Sequence, residues 1–456
     1  MQRHVLPLGS CASVSGGGRA AGGLGVTATG DRARWSRLVA IAAAAAAALL
    51  AAGCGSGTLP VRAGSRGQAI EVPGLGALNK GAGSSEVLGV FSVSCGSSGN
   101  CAVGGGYRDG GRHGQAFVAV ERHGAWGRAI EVPGLGALNK GGAAYVNSVS
   151  CVSSGNCAAG GGYNDGDRHE QGFVAVERHG AWGRAIEVAG LGALNTGGNA
   201  YVDSVSCASS GNCAADGGYQ VGRHNEQGFV VSERNGRWGR AIEVPGLGAL
   251  NKGGGADVYA VSCASAGSCA AGGDYTDGGG NGQGWVAVER NGRWGNAIEV
   301  PGLGALNDMN AEVDSVSCAS AGNCAAAGTY GEPYGEGFVV SERNGVWGKA
   351  IDVPGLAALN GRIGGASSVS CASPGNCAAG GSYSNSSGGK TQGWEAVERH
   401  GRWARAIEVP GLGALNKGGD ATVSEVSCAP PLSCAAGGTY TDRRHHFQGF
   451  VVSPTR

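Results

Sequence analysis

From residue 68 onward, apolar and polar positions alternate in short runs that glycine-rich turns interrupt. The stretch from Tyr145 to Gly190 shows the pattern. Val146 to Cys151 is a short extended run, Val152 to Asn156 a turn, and Cys157 to Tyr163 a strand of small residues. A polar loop from Asn164 to Glu170 follows. In Gln171 to Arg178, Phe173 and Ala175 alternate with Val174 and Val176, the period of two that marks a strand. His179-Gly180 stands where other copies carry Asn235-Gly236, Asn291-Gly292 and Asn344-Gly345. Asn-Gly between alternating runs is a strong hairpin signal, because both residues accept positive φ. Trp182 to Val188 then returns as a fourth strand. The spacing of Val146 and Val149, three apart, breaks the alternation and requires a bulge or a late start in the first strand. No helix signal stands out.

This unit repeats seven times. A first cysteine recurs at Cys95, Cys151, Cys207, Cys263, Cys318, Cys371 and Cys428, at spacings of 56, 56, 56, 55, 53 and 57. Repeats of four antiparallel strands at this period predict an all-β fold, a seven-bladed β-propeller of about 56-residue blades. The chain ends sharpen the expectation. The fourth-strand motif AIEV or AIDV occurs seven times, beginning at Ala69, Ala129, Ala185, Ala241, Ala297, Ala350 and Ala406. The hairpin with its tryptophan occurs six times and ends at Trp403. An orphan fourth strand, Gln68 to Val72, would therefore complete the last blade and close the ring, which removes both exposed edges. Ser, Ala and Gly in the first two strands suit the crowded axis, and Phe, Trp and Ile suit the wider rim. The residues from Pro133 to about Ala144 carry the chain between blades.

Composition adds an address. Arg32, Arg34 and Arg37 precede an apolar run, Leu38 to Ala52, of signal-peptide length and short of the roughly 20 residues of a bilayer span. Leu50-Ala51-Ala52-Gly53-Cys54 resembles a bacterial lipobox, with Ala51 where leucine is usual. The expected organisation is a leader at 1–53, a linker at 54–67 behind a lipid on Cys54, and the propeller at 68–453. Plain secretion and an uncleaved anchor are the alternatives. Lys plus Arg and Asp plus Glu both total 34, so nothing points to nucleic acid. Glycine supplies 93 positions without a collagen period, which assigns the glycines to turns and crowded strands.

Each repeat holds a second cysteine six positions after the first, giving Cys95–Cys101, Cys151–Cys157, Cys207–Cys213, Cys263–Cys269, Cys318–Cys324, Cys371–Cys377 and Cys428–Cys434. Only Cys11, in the leader, and Cys54 remain. Paired thiols suit an oxidising compartment. Reduced buried cysteines are the bland alternative, and zinc lacks a second ligand pair at suitable spacing.

The loops between the second and third strands vary most. They place Asp109, His113, Asp165, His169, His224, Asp277, His445 and His446 on one face. Exposed, freely drifting tips are the bland reading; a protein or glycan contact surface and a metal or carboxylate-ligand site are the alternatives. Ser232-Glu233-Arg234 and its copies repeat around the ring, whereas catalysis needs one convergent set. No GxSxG, HExxH or phosphate loop is present.

The units SVSCASxGNCAAGG, QGFVVSERNGxW and AIEVPG, across residues 68–453, resemble repeats of uncharacterised exported proteins of high-GC actinobacteria. More distantly they are similar to Asp-box and photosystem-assembly-factor-like propellers. The Asp-box pattern itself is absent, since the run from Ser232 to Trp238 has the wrong spacing. The resemblance implies the propeller and no assigned activity. The expected function is a lipid-anchored, extracytoplasmic binding or scaffold module, monomeric and without cofactor or turnover, for an extracellular protein or glycan. A secreted glycan hydrolase or lyase and a passive surface protein are the rivals.

Overall fold

The computed structural model describes residues 70–81, 89–223, 225–307, 309–331, 335–359, 363–384 and 389–452. The leader, Cys54, Gln68, Ala69 and His224 lie outside the described residues. Seven antiparallel sheets follow one another as the blades of a seven-bladed β-propeller. They span 89–131, 144–187, 204–243, 256–299, 311–352, 363–408 and 421–452, numbered here as blades 1 to 7.

In blade 2 the innermost strand is Ala144–Ser153, the second Asn156–Asn164 and the third Glu170–Arg178. The first strand does bulge: Val146 pairs with Gly161 and Ser148 with Gly160, leaving Asn147 over. The extra residue turns Val146 and Val149 to the same face, against Ala102, Ala116 and Val118 of blade 1. Such seams form the core, one apolar cluster between each successive pair of blades. Phe173 and its counterparts Phe117, Phe229, Trp285, Phe338 and Trp394 are all fully buried. Each contributes on the order of 2–3 kcal/mol by leaving water. Glycine in the second strand is obligatory where strands crowd: a Cβ on Gly161 would overlap the Tyr145 carbonyl.

The hairpin turns as expected, with His179 and Gly180 at φ 50° and 85°. The fourth strand is less regular than the alternation suggests. It splits into Ala181–Trp182 and Ile186–Glu187, both on the third strand. Between them the Ala185 N–H donates to Pro133 O at 2.7 Å, so the outer strand leaves its ladder to hold the preceding inter-blade link. The links also contain single helical turns that the pattern does not reveal, such as Leu191–Leu194 and Leu247–Leu250. Their first leucines, with Leu303 and Leu412, are buried under the next blade.

The N-terminal segment docks on blade 1. Val72, Leu75 and Leu78 pack on blade 1, and the Ala129 N–H donates to Pro73 O at 2.7 Å, repeating the bond of every later link. The segment thus stands where a preceding blade's outer strand would stand. Among the described residues blade 7 has three strands, and no ladder joins Ile70–Val72 to its edge strand, Phe447–Val452.

Candidate functional site

All seven cysteine pairs are disulfides, one per blade, with Cα–Cα distances of 3.9–4.0 Å. They lie where the first strand turns into the second, on the face opposite the variable loops. Seven disulfides mark an extracytoplasmic protein.

On the loop face the structure gives the sequence-singled residues a building role. Asp109 Oδ1 accepts from the Gly111 and His113 N–H groups, and Asp165 Oδ1 from those of Asp167 and His169. Asp277 and Asp442 repeat the turn with Gly279 and Asn281, and with Arg444 and His446. A side-chain oxygen in place of a backbone acceptor makes a tight, self-contained turn. Backbone donors from Asn281 and His446 hold the carboxyls of Asp277 and Asp442 below the ordinary carboxylate value. His113, His169 and His446 fold back on the same aspartates at 3.4, 3.9 and 3.7 Å. His445 takes positive φ (59°) at the turn and is exposed. Among the described residues His113, His169 and His446 thus stand on separate loops, each beside its own aspartate. Asp165, Asp167 and His169 do cluster within 4.8 Å, but the turn's own amides already use Asp165.

The inner strands join blade to blade through serine. Ser92 Oγ accepts from Val149 N–H and Ser94 Oγ from Cys151 N–H, and the pattern continues to Ser370 and Cys428 at 2.9–3.4 Å, except that blade 4 has Ala260 at the place of the first serine. Blade 7 carries Glu425 at the place of the first serine. Solvent reaches Glu425, yet the surrounding protein crowds it, and desolvation pushes its carboxyl up to about 7. Asp203 of blade 3 and Asp314 of blade 5 stand two blades apart, and Asp314 Oδ2 accepts from Thr329.

The repeated Glu-Arg sequence forms a clamp between blades. Arg122, Arg178, Arg234, Arg290 and Arg343 reach Glu177, Glu233, Glu289, Glu342 and Glu398 of the following blade at 2.5–3.0 Å. The same Nη2 donates to the next hairpin's glycine carbonyl, as from Arg178 to Gly236 at 2.8 Å. Each of these glutamates is almost fully buried, with only Oε1 engaged among the described residues. The acid of AIEV also has a task that alternation could not show. Tyr107, Tyr163, Tyr219, Tyr275 and Tyr383 donate to Glu131, Glu187, Glu243, Glu299 and Glu408, and Tyr330 donates to Asp352. Burial first, then these carboxylates, raise the phenols well above their usual range. The signal was the recurrence of both residues at fixed spacing.

No family model and no curated protein matches the sequence. Among solved structures the chain is similar to Sqt1 from Chaetomium thermophilum bound to the N-terminus of ribosomal protein L10. The identity is 13% and the TM-score 0.44, over 78% of this chain and 85% of that one. It is also similar to a polysaccharide lyase of family PL25, an ulvan lyase, at 11% and 0.43 over 78% and 90%. The Hadza microbial sialidase Hz136 gives 10% and 0.38 over 75% and 73%. Likenesses so distant carry no argument about activity.

Proposed function

We propose that this chain is a non-catalytic binding or scaffold propeller, held at the outer face of the cytoplasmic membrane by lipid on Cys54. The observation that carries the reading is the loop face. Four blades mount their loops on the same aspartate turn, while the intervening residues differ from blade to blade. Rigid mounts with variable tips suit recognition of an extracellular protein or glycan. The repeated carboxylates and arginines are occupied in clamps, a structural use rather than a catalytic one.

The test displays the full chain and a Cys54→Ser variant in cells fed labelled palmitate, then offers the purified chain cell-wall polysaccharides and secreted proteins. Label in the wild type alone, with a partner retained unchanged, is the expected result. Equal labelling of both chains would remove the anchor, and reproducible product formation would replace the binding reading with an enzyme.

A further inference from the structure

Two hairpins of this chain share one local sequence and differ only in what surrounds them. The run Glu233-Arg234-Asn235-Gly236-Arg237-Trp238-Gly239 of blade 3 recurs residue for residue in blade 4, from Glu289 to Gly295. Both runs make the same turn: Asn235 and Gly236 take φ 48° and 81°, Asn291 and Gly292 49° and 75°. Both asparagines are exposed. Asparagine before glycine is open to attack on its own side chain by the next amide nitrogen, because glycine brings no Cβ to hinder the approach. In both turns that nitrogen is occupied. The Gly236 N–H donates to Gly211 O at 2.8 Å, and the Gly292 N–H to Gly267 O at 2.9 Å.

The two turns differ in what holds that bond. In blade 3, Asn212 joins the hairpin to the disulfide turn. Its Nδ2 donates to Ser209 Oγ and the Ser210 carbonyl at 3.0 and 3.4 Å, which fastens the turn carrying Gly211. Its Oδ1 accepts the Asn235 N–H at 3.2 Å. Asn323 makes the same brace in blade 5, to Ser320, the Ala321 carbonyl and the Asn344 N–H. Blade 4 has Ser268 at this position, with no side-chain bond to Asn291 or to the turn carrying Gly267 among the described residues. The clamp is common to both hairpins, since Arg178 takes the Gly236 carbonyl and Arg234 that of Gly292. Trp294 has Ser232 as acceptor where Trp238 has none among the described residues, a difference that ties blade 4 more tightly and so opposes the missing brace. The Gly292 amide therefore depends on one bond between two turns that no asparagine fastens together.

We propose that Asn291 is a site of spontaneous deamidation, and that Asn212 spares Asn235 the same fate. The Gly292 nitrogen gives its proton to a base in the solvent and bonds to Asn291 Cγ. The Cγ–Nδ2 bond breaks, and the amide group leaves with a proton as ammonia. Water then opens the cyclic imide at either carbonyl, giving aspartate or isoaspartate and one new negative charge on the hairpin that Arg234 grips. The proposal is independent of the binding reading above. The test incubates the folded full chain at mildly alkaline pH, cuts it after glutamate and follows each asparagine by mass spectrometry. The two peptides separate because they differ at Arg240 and Asn296. Asn291 should convert roughly two- to tenfold faster than Asn235, the factor that one hydrogen bond of ordinary net strength carries. In the chain reduced and unfolded in denaturant the two should convert at the same rate. Ser268→Asn should slow Asn291, and Asn212→Ser should speed Asn235, by that same factor. Each variant borrows a residue that other blades carry at this position, and its melting midpoint, read alongside, shows that it is folded. Equal rates in the folded chain, a difference that survives unfolding, or a folded Ser268→Asn chain converting as fast as the wild type would overturn the proposal.

Discussion

Trp294 and Trp403 donate their indole N–H groups to Ser232 and Ser341 of the preceding blade, at 3.2 and 3.3 Å. Those serines donate in turn to Glu289 and Glu398, at 2.7 and 2.8 Å. Where the preceding blade has valine instead, at Val120, Val176 and Val288, the indole N–H groups of Trp182, Trp238 and Trp347 are buried with no acceptor among the described residues. One side chain in a neighbouring blade thus decides whether a buried donor is satisfied, at a cost of about 1–3 kcal/mol when it is not. Val176→Ser should therefore stabilise the domain by about 1 kcal/mol, after the lost methyl contact is subtracted. Ser341→Val should destabilise it by about 1–3 kcal/mol. Denaturant midpoints of the two variants check both signs, and a stabilised Ser341→Val would contradict the network. The serine was visible in the sequence, but its partners lie some 60 residues away, where no local pattern reaches.

At the scale of elements, the strands follow from alternation because their valines and phenylalanines meet an apolar neighbour on each side. The outer strand is the exception. Its middle residues bond to the preceding inter-blade link, a competitor that periodicity within one run does not contain. The loops show the opposite case, in which a local device is stronger than composition suggests. Asp277 has its pKa lowered by the backbone donors of Asn281 and Gly279, so the contribution of this turn is present above the ordinary value of 3.8 and is lost as pH falls through the lowered one. Asp277→Ala should speed amide exchange at Gly279 and Asn281 at neutral pH, leave global unfolding unchanged, and remove the acid-induced loosening of this loop. Unchanged exchange at those amides would show that the loop is held elsewhere.

The whole molecule turns on the seam between blades 7 and 1. Among the described residues the six other seams carry the serine ladder, and five carry the arginine clamp. Here Glu425 stands at the place of the first ladder serine, as Ala260 does in blade 4, and Thr455 stands at the clamp arginine's place in the sequence. The edge strand of blade 7 exposes Phe447 and Val451, and Ile70 of the N-terminal segment is 64% exposed. An open edge leaves backbone N–H and C=O groups unpaired, and the N-terminal segment is already docked on blade 1 through Pro73. In blade 1 the register pairs Ile130 with Val118, which corresponds to Ile70 with Val451. Ile70→Cys with Val451→Cys should therefore crosslink within one chain under oxidising conditions, and removing residues 70–72 should lower the stability of the entire domain. A chain that never crosslinks and melts unchanged after the deletion has an open seam.

The sequence by itself determined the blade, its seven repetitions, the cysteine pairs and the offset of the ends. Those rest on local alternation, turn chemistry and spacing, which survive in one dimension. Tertiary structure alone decided which side chains meet across a seam. The Arg–Glu clamp and the Trp–Ser–Glu relay join residues about one repeat apart in sequence. Their geometry is set by how neighbouring blades stack. The bulge at Asn147 is the link between the two levels: the sequence shows two valines out of step, and stacking gives the reason, because both must face the same neighbouring blade.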